Sequence, residues 1–173
     1  PTPTPTPTPP GGTTPYSVKL KGSTFIKRAN GSVPLSGRLQ AHFDPRTKHY
    51  AGRLSLHSAT GRFKVLGVLP VRARVVFEPK GDTTGAFKKG VLTSRSRLHV
   101  KVTELKLYGI PFGGGADCRT YSPAEINLRS KRKGTVLTGR YYLPPLHDCG
   151  PLTPLVNTMT AGSGNTVELR PKA

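Results

Sequence analysis

Apolar and basic residues alternate along much of this chain. Between Tyr16 and Arg28, Val18, Leu20 and Ile26 share one parity, and Lys19, Lys21 and Lys27 share the other. Leu35, Leu39 and Phe43 alternate with Arg38 and His42, and Leu54 and Leu56 with Arg53 and His57. Val71, Ala73, Val75 and Phe77 alternate with Arg72 and Arg74. Leu98, Val100 and Val102 alternate with Arg97, His99 and Lys101. Successive side chains of a strand point to opposite faces. The pattern therefore specifies a sheet with one oily face and one basic face.

Turn residues divide these runs. Asn30-Gly31 reads as a hairpin turn between the first two strands, because both residues accept positive φ. Asp44-Pro45, Thr60-Gly61, Lys80-Gly81-Asp82 and Lys89-Gly90 read as further turns. From Leu92 to Tyr108 the alternation changes phase: Val100 and Val102 are even, Leu105 and Leu107 odd. A β-bulge near Thr103-Glu104 would produce that slip. Strands follow around Glu125–Arg129, Thr135–Leu143 and Thr166–Arg170. One short helix is predicted, with Thr153 as N-cap, Pro154 at its first position, Leu155, Val156 and Met159 inward, and Gly162 at its end. An extended loop is the alternative there.

About nine or ten mostly antiparallel strands with one apolar face must bury that face. They can close into a barrel or half-barrel, or stack as a β-sandwich. Gly22, Gly37, Gly52, Ala73 and Gly139 fall on the inward parity, and glycine lets strands coil sharply. This favours the barrel. The inward residues are medium or small, with no large aromatic evident as a plug, which points to a hollow interior. Residues 1–15 form a Pro-Thr-rich spacer, with 11–15 as its hinge, and 16–173 a single β domain. Alternating Pro favours polyproline II, so ten residues at ~3.1 Å each span roughly 30 Å. Such a spacer holds a domain away from an anchor upstream of residue 1, and its Thr-Pro steps suit O-glycosylation.

The formal charge is +19, from 27 Lys and Arg against 8 Asp and Glu. An anion-binding surface is expected from Lys19, Lys21, Arg38, Arg53, Arg72, Arg74, Arg97, Lys101 and Arg140. Lys131-Arg132-Lys133 and Lys88-Lys89 read as basic loop tips. The plain alternative is a face kept soluble by its charge. Anionic lipid or cell-wall polymer is the expected partner, with an envelope protein as a second candidate. Nucleic acid is the weaker candidate, because only Phe25, Tyr108 and Tyr142 fall on the basic parity, a thin stacking platform.

Catalytic chemistry is sparse. No serine sits in a GxSxG context. Ile110-Pro111-Phe112-Gly113-Gly114-Gly115 lacks the GK[ST] ending of a phosphate loop and reads as a flexible loop leading to Cys118. Asn30-Gly31-Ser32 is a formal glycosylation sequon that its turn role explains. Asp117 and Asp148 each precede a cysteine and, with His147 and Arg119 beside them, form the one candidate acid/base group. Two solvated loop charges are the plainer reading. His42, His57 and His99 fall on the basic parity, so no metal and no cofactor are expected. In an exported protein Cys118 and Cys149 read as one disulfide, and in a cytosolic one as two thiols.

Four segments carry a resemblance: GRFKVLGVLPVRARVVFEPKGDTTG, YGIPFGGGADCRT, GTVLTGRYYLPPLHDCGPLTPLV and AGSGNTVEL. Together they lie between Gly61 and Leu169, about two thirds of the chain. They resemble a family of uncharacterised exported β-rich envelope proteins of actinobacteria, most specifically through the GGGxxC and LPPLxxCGxLTPL motifs. The resemblance implies an envelope location, a disulfide and a β-rich fold, and transfers no catalytic residue. Mycobacterial lipid-carrying lipoproteins use open half-barrels, a likeness of architecture alone. The expected function is therefore a non-catalytic, extracytoplasmic binding protein, in the envelope or secreted. It would bind lipid or glycolipid inside and dock its basic surface on anionic membrane or wall polymer. The alternative is a structural or assembly partner in an envelope complex, with no small-molecule ligand.

Overall fold

The computed structural model describes residues 13–172. The Pro-Thr repeat of the expected spacer lies outside the described residues. Thr14 and Pro15, expected in its hinge, already belong to the first strand, opposite Phe43 and His42.

Among the described residues thirteen strands and one helix follow in chain order. They are β1 (Thr14–Ile26), β2 (Gly31–Asp44), β3 (His49–Leu56), β4 (Ala59–Val65), β5 (Leu69–Pro79), β6 (Thr83–Lys88) and β7 (Val91–Leu107). Then come β8 (Ile110–Gly113), β9 (Arg119–Thr120), β10 (Ala124–Ser130), β11 (Leu137–Leu143), β12 (Leu146–His147), α1 (Thr153–Thr160) and β13 (Gly162–Pro171). All pairings are antiparallel. Half of the sequence neighbours are also sheet neighbours, and β1 pairs with both β2 and β13, so the ladders close into a ring. Along β2, β3 and β4 lie end to end as one interrupted strand, and β6 and β5 do the same along β7.

The alternation expected from the sequence sets the faces. Leu20, Ile26, Val33, Leu35, Leu54, Val71, Ala73, Val75, Leu98, Val102, Leu128, Val167 and Leu169 are buried inside the ring. The phase change in β7 is a bulge: Arg74 faces Glu104 and Val75 faces Val102, leaving Thr103 unpaired on its strand. Val102 and Leu105 can then both point inward.

Glycine on the inward parity has a definite cause. A Cβ at Gly22 would lie 1.8 Å from the Glu168 carbonyl oxygen of β13. The strands approach and coil where only hydrogen fits.

Several local expectations shift. At the first hairpin only Asn30 takes the left-handed conformation (φ 50°), while Gly31 opens β2. A Cβ on Gly31 would lie 2.1 Å from the Arg62 carbonyl oxygen, so close approach rather than turn geometry requires this glycine. Thr60-Gly61 is not a turn. Both lie in β4, and the chain bends at His57-Ser58, where the His57 N–H donates to the Ser36 carbonyl at 2.8 Å. Gly61 is needed because a Cβ there would meet Val33 and Phe63 at 2.7–2.8 Å. The expected flexible loop after Ile110 is largely bound. Left-handed Tyr108 and Gly109 make a tight turn, β8 pairs back on β7, and the Gly114 N–H donates to the Cys149 carbonyl at 3.0 Å.

The helix forms over Thr153–Thr160 with Val156 buried, but Thr153 does not cap it. Leu152 occupies the cap position, and the Thr153 hydroxyl instead donates to the Gly150 carbonyl at 2.6 Å and accepts from the Cys149 N–H at 3.0 Å. Leu155 faces solvent, Met159 is half-buried, and Ala161 rather than Gly162 closes the helix. Asn157 pins the helix down: its side chain accepts from the Leu146 N–H at 2.7 Å and donates to the Leu146 carbonyl at 2.8 Å. The helix thereby covers one end of the ring.

Gly22→Ala is expected to part β1 from β13 and lower stability by about 2 kcal/mol or more, in the range of overpacked core substitutions. Ser23→Ala, on the exposed face of the same strand, should stay within roughly 0.5 kcal/mol of the parent. Chemical denaturation of both variants checks this. Equal stability of the Gly22→Ala variant and the parent would contradict the close-approach account.

Candidate functional site

The interior is not filled evenly. Towards the helix, Ile26, Ala29, Val33, Val65, Val71 and Val156 leave a space of only about 70 Å³. Towards the other end a cavity of about 350 Å³ remains, walled by Val18, Leu35, Leu39, Leu54, Ile126 and Leu137 among others. That volume falls in the ~300–1,000 Å³ class of small-molecule sites. Thr24, Phe77, Tyr141 and Val100 line both spaces and form the floor between them.

The buried hydroxyls of this wall, on Thr24, Thr83, Ser96 and Tyr141, and that of half-buried Tyr50 are bonded to the protein. The Thr24 and Tyr141 hydroxyls meet at 2.7 Å over the inner face of β13, which lies between their strands, and Thr24 also donates to the Thr166 carbonyl at 2.9 Å. Thr83 and Ser96 pair at 2.7 Å, and the Tyr50 hydroxyl donates to the Thr93 carbonyl at 2.7 Å. Burial raises both phenols, and it pushes Tyr141 from 10.0 up to about 12. A polar ligand would find few free partners here, whereas an alkyl chain needs none.

The cavity opens at the end where β1 begins. Tyr16 and Phe87 line it yet are 53% and 45% exposed, so they stand in the mouth rather than under a lid. Tyr16 meets Phe43 edge-on, with ring centroids 6.5 Å apart. Three basic turns converge on this rim. The Lys48 carbonyl accepts from the Phe87 N–H at 2.9 Å, and the Gly90 carbonyl accepts from the Lys133 N–H at 2.7 Å. Arg46, Lys48, Lys88, Lys89, Lys131, Arg132 and Lys133 are all exposed in or beside these turns. The acid beside them is Asp44, whose carboxyl is held below its ordinary range first by the Arg46 backbone N–H.

A second gap interrupts the wall. β3 pairs with β6 through His49–Gly52, and β4 with β5 from Ala59 onward. Between them Leu54 and Leu56 face Phe77 and Pro79 with no ladder. Pro79 has no N–H to give, Gly81 takes φ 79°, and the Lys80 N–H turns to the Arg97 carbonyl at 2.8 Å. Leu54, Leu56 and Phe77 also line the main cavity, so the slit adjoins it laterally.

Of the nine cations expected on the surface, Lys19, Lys21, Arg38, Arg53, Arg72, Arg74, Arg97 and Arg140 are exposed, and Lys101 is half-buried. They do not converge on one point. Lys19 sits opposite Arg38, whose guanidinium donates to the Ser17 hydroxyl at 3.1 Å. Lys21 sits opposite Arg170, and Arg140 lies opposite Thr166 on β13. Arg72 is flanked by Arg62 and Lys106 on neighbouring strands. Arg74 donates to the Ser58 hydroxyl at 3.2 Å, Arg53 faces Gln40, and Arg97 faces Glu125. Sequence alternation placed these cations outside but could not reveal the facing pairs, because register sets them. Among the described residues, ion pairs engage only Arg46, Arg95, Lys106, Arg119 and Arg170 of the Lys and Arg side chains.

Cys118 and Cys149 form a disulfide, fully buried beside the ring. They are 31 residues apart, and in the chain-entropy model a loop of that size contributes ~3–4 kcal/mol. Asp148 does not pair with Asp117; its carboxylate bonds His147 Nδ1 at 2.7 Å, while the Tyr121 ring lies tilted against the imidazole with centroids 4.6 Å apart. None of Asp117, His147 and Asp148 lines the interior cavity, and the sulfurs beside them are oxidised. His42 and His57 are exposed as expected, whereas His99 is half-buried and bonds the Thr120 hydroxyl at 3.1 Å. No cluster of metal-ligating side chains occurs among the described residues. No helix among them is long and apolar enough to cross a membrane.

The chain matches no protein-family model, no curated protein and no solved structure.

The Tyr141 phenol generates a pH test. Unfolded it ionises near 10.0 and folded only near 12, so its contribution is complete below pH 10 and disappears as the pH rises through about 12. Over that window the parent should lose about 2–3 kcal/mol more stability than Tyr141→Phe. Denaturation at stepped pH, with phenolate absorbance followed in parallel, checks the difference. Parallel curves for the two proteins would contradict it.

Proposed function

We propose that this chain is a non-catalytic binding protein of the cell envelope that holds an acyl chain of a lipid or glycolipid within its ring. The observation that carries the reading is the apolar cavity, whose four buried hydroxyls bond in pairs, Thr24 with Tyr141 and Thr83 with Ser96. An alkyl chain entering it gains ~0.8 kcal/mol per buried methylene and breaks no hydrogen bond. The cations around the mouth suit an anionic headgroup left at the rim, where solvent still reaches it. The unneutralised exterior suits docking on an anionic membrane or wall polymer. The disulfide is consistent with an extracytoplasmic compartment, and the actinobacterial resemblance agrees with that location. Tethering by a segment upstream of residue 1 belongs to the same proposal.

Native mass spectrometry of protein purified from its host, with lipid extraction, tests the reading. A bound acyl species is expected. Leu39→Trp and Ile126→Trp extend half-buried wall residues into the cavity. Each should weaken displacement of a fluorescent fatty acid at least tenfold while leaving the fold intact. Protein that carries no lipid and ignores the fatty acid, yet binds anionic vesicles at low salt, would replace this reading with a structural or assembly role. The combined variant Asp117→Ala, His147→Ala and Asp148→Ala should complement a deletion fully. Loss of function in that folded variant would contradict the non-catalytic assignment.

A further inference from the structure

Two hairpin tips at the end of the ring away from the cavity mouth expose large apolar residues. The β4–β5 tip is Leu66-Gly67-Val68, with Leu66 79% and Val68 72% exposed. The β7–β8 turn is Tyr108-Gly109, with Tyr108 70% and the following Ile110 67% exposed. Val65 pairs with Leu69 and Val71 with Leu107, so the two tips emerge side by side from adjacent strands.

These side chains sit where the fold alone would not choose them. Leu66 and Tyr108 are in the left-handed region, at φ 55° and 49°. Asn, Asp or Gly serves such positions at lower conformational cost and without an apolar surface in water. Among the described residues the other non-glycine left-handed positions are Asn30, Lys48, Lys89, Lys133 and Asp148, all polar. Leu66 and Tyr108 are the two exceptions, and they occur together.

Below the tips lies a basic collar. Arg62, Arg72 and Lys106 face one another across β4, β5 and β7, and Lys64 shares the outward parity one step nearer the tip. Like charges directly opposite on a sheet repel. Glu104 reaches only Lys106, at 2.9 Å.

We propose that these two tips form a foot that docks on an anionic lipid bilayer. Leu66, Val68, Tyr108 and Ile110 enter the boundary between headgroups and acyl chains, and Arg62, Lys64, Arg72 and Lys106 meet the headgroup charges. Apolar tips above a cationic collar match the two layers of a bilayer interface. A soluble wall polymer would reward the collar and leave the tips in water. A stable protein partner needs about 20–30 residues a side, far more than two turns supply. The inference rests on the anionic-partner part of the proposed function and is independent of the interior ligand.

The test uses the whole chain with phosphatidylglycerol vesicles, and phosphatidylcholine vesicles as control. The sequence contains no Trp, so Tyr108→Trp supplies a single indole reporter. Its emission is expected to shift to the blue with phosphatidylglycerol and to be quenched by lipid-borne spin labels. The variant Leu66→Asn, Val68→Thr, Tyr108→Asn, Ile110→Thr should bind these vesicles at least tenfold more weakly. It should melt no earlier than the parent, since Asn suits the left-handed positions. The variant Arg62→Gln, Lys64→Gln, Arg72→Gln should also bind more weakly, with a shallower salt dependence. Unchanged vesicle binding by the tip variant, or an unshifted indole, would overturn the foot while leaving the anionic-surface reading intact. Binding of the parent to purified anionic wall polymer but not to vesicles would overturn it too. No binding to either at low salt would overturn both.

Discussion

Closure of the ring depends on one strand pairing along both edges. β1 runs beside β2 over its whole length and beside β13 from Leu20 to Phe25. Without the second ladder the sheet would present two open edges and an apolar face to water. A free edge exposes unpaired backbone donors and acceptors and invites aggregation. The ladder requires β13 to lie against the backbone at Gly22, where any side chain would collide with the Glu168 carbonyl. Inside and outside, and hence cavity and charged surface, follow from that closure.

The closed ring then poses a packing problem that the sequence solves at one end only. Near the helix, branched side chains and Val156 fill the space, and Asn157 and Asn165 satisfy the exposed backbone. Asn165 is almost fully buried, accepts from the Lys27 N–H at 2.9 Å and donates to the Gly162 carbonyl at 3.0 Å. The Thr24–Tyr141 bond bridges β13 on the inner wall at mid-height. Above it Val, Leu and Ile are too short to meet across the ring, and the aromatic residues there stand at the rim. Protein interiors normally pack without such voids. A cavity of this size lined by leucine and valine forgoes contacts that an occupant would restore.

Charge divides the surface without disturbing the core. Every strand alternation that buries a Leu or Val exposes a Lys or Arg, so core and basic face arise from the same two-residue period. The few acids do not balance it, and exposed pairs such as Arg95–Glu125 at 2.7 Å contribute little stability individually. The facing cations Lys19–Arg38 and Arg62–Arg72 oppose folding. The two ends of the ring differ in kind: one combines a hollow mouth with lysine-rich turns, the other apolar tips with a packed base.

The local period was legible in the sequence wherever its cause is local. The alternation in β1, β2, β5 and β7, the bulge at Thr103 and the helix after Pro154 each follow from side-chain parity or backbone chemistry within a few residues. The outward placement of Arg38, Arg72 and Arg97 follows from the same parity. Glycines were legible as small but ambiguous in purpose: Gly61 read as a turn, and only its neighbours Val33 and Phe63 show it to be a packing contact. The turns at Leu66-Gly67 and Tyr108-Gly109 were hidden because their residues resemble strand interior. What the tertiary structure alone decided is everything set by register and closure. It decided which cations face one another, that Tyr141 meets Thr24 from 117 residues away, and that the upper interior stays hollow. A period of two fixes the face on which a side chain lies, but its partner across the ring depends on how far each strand slides against the next.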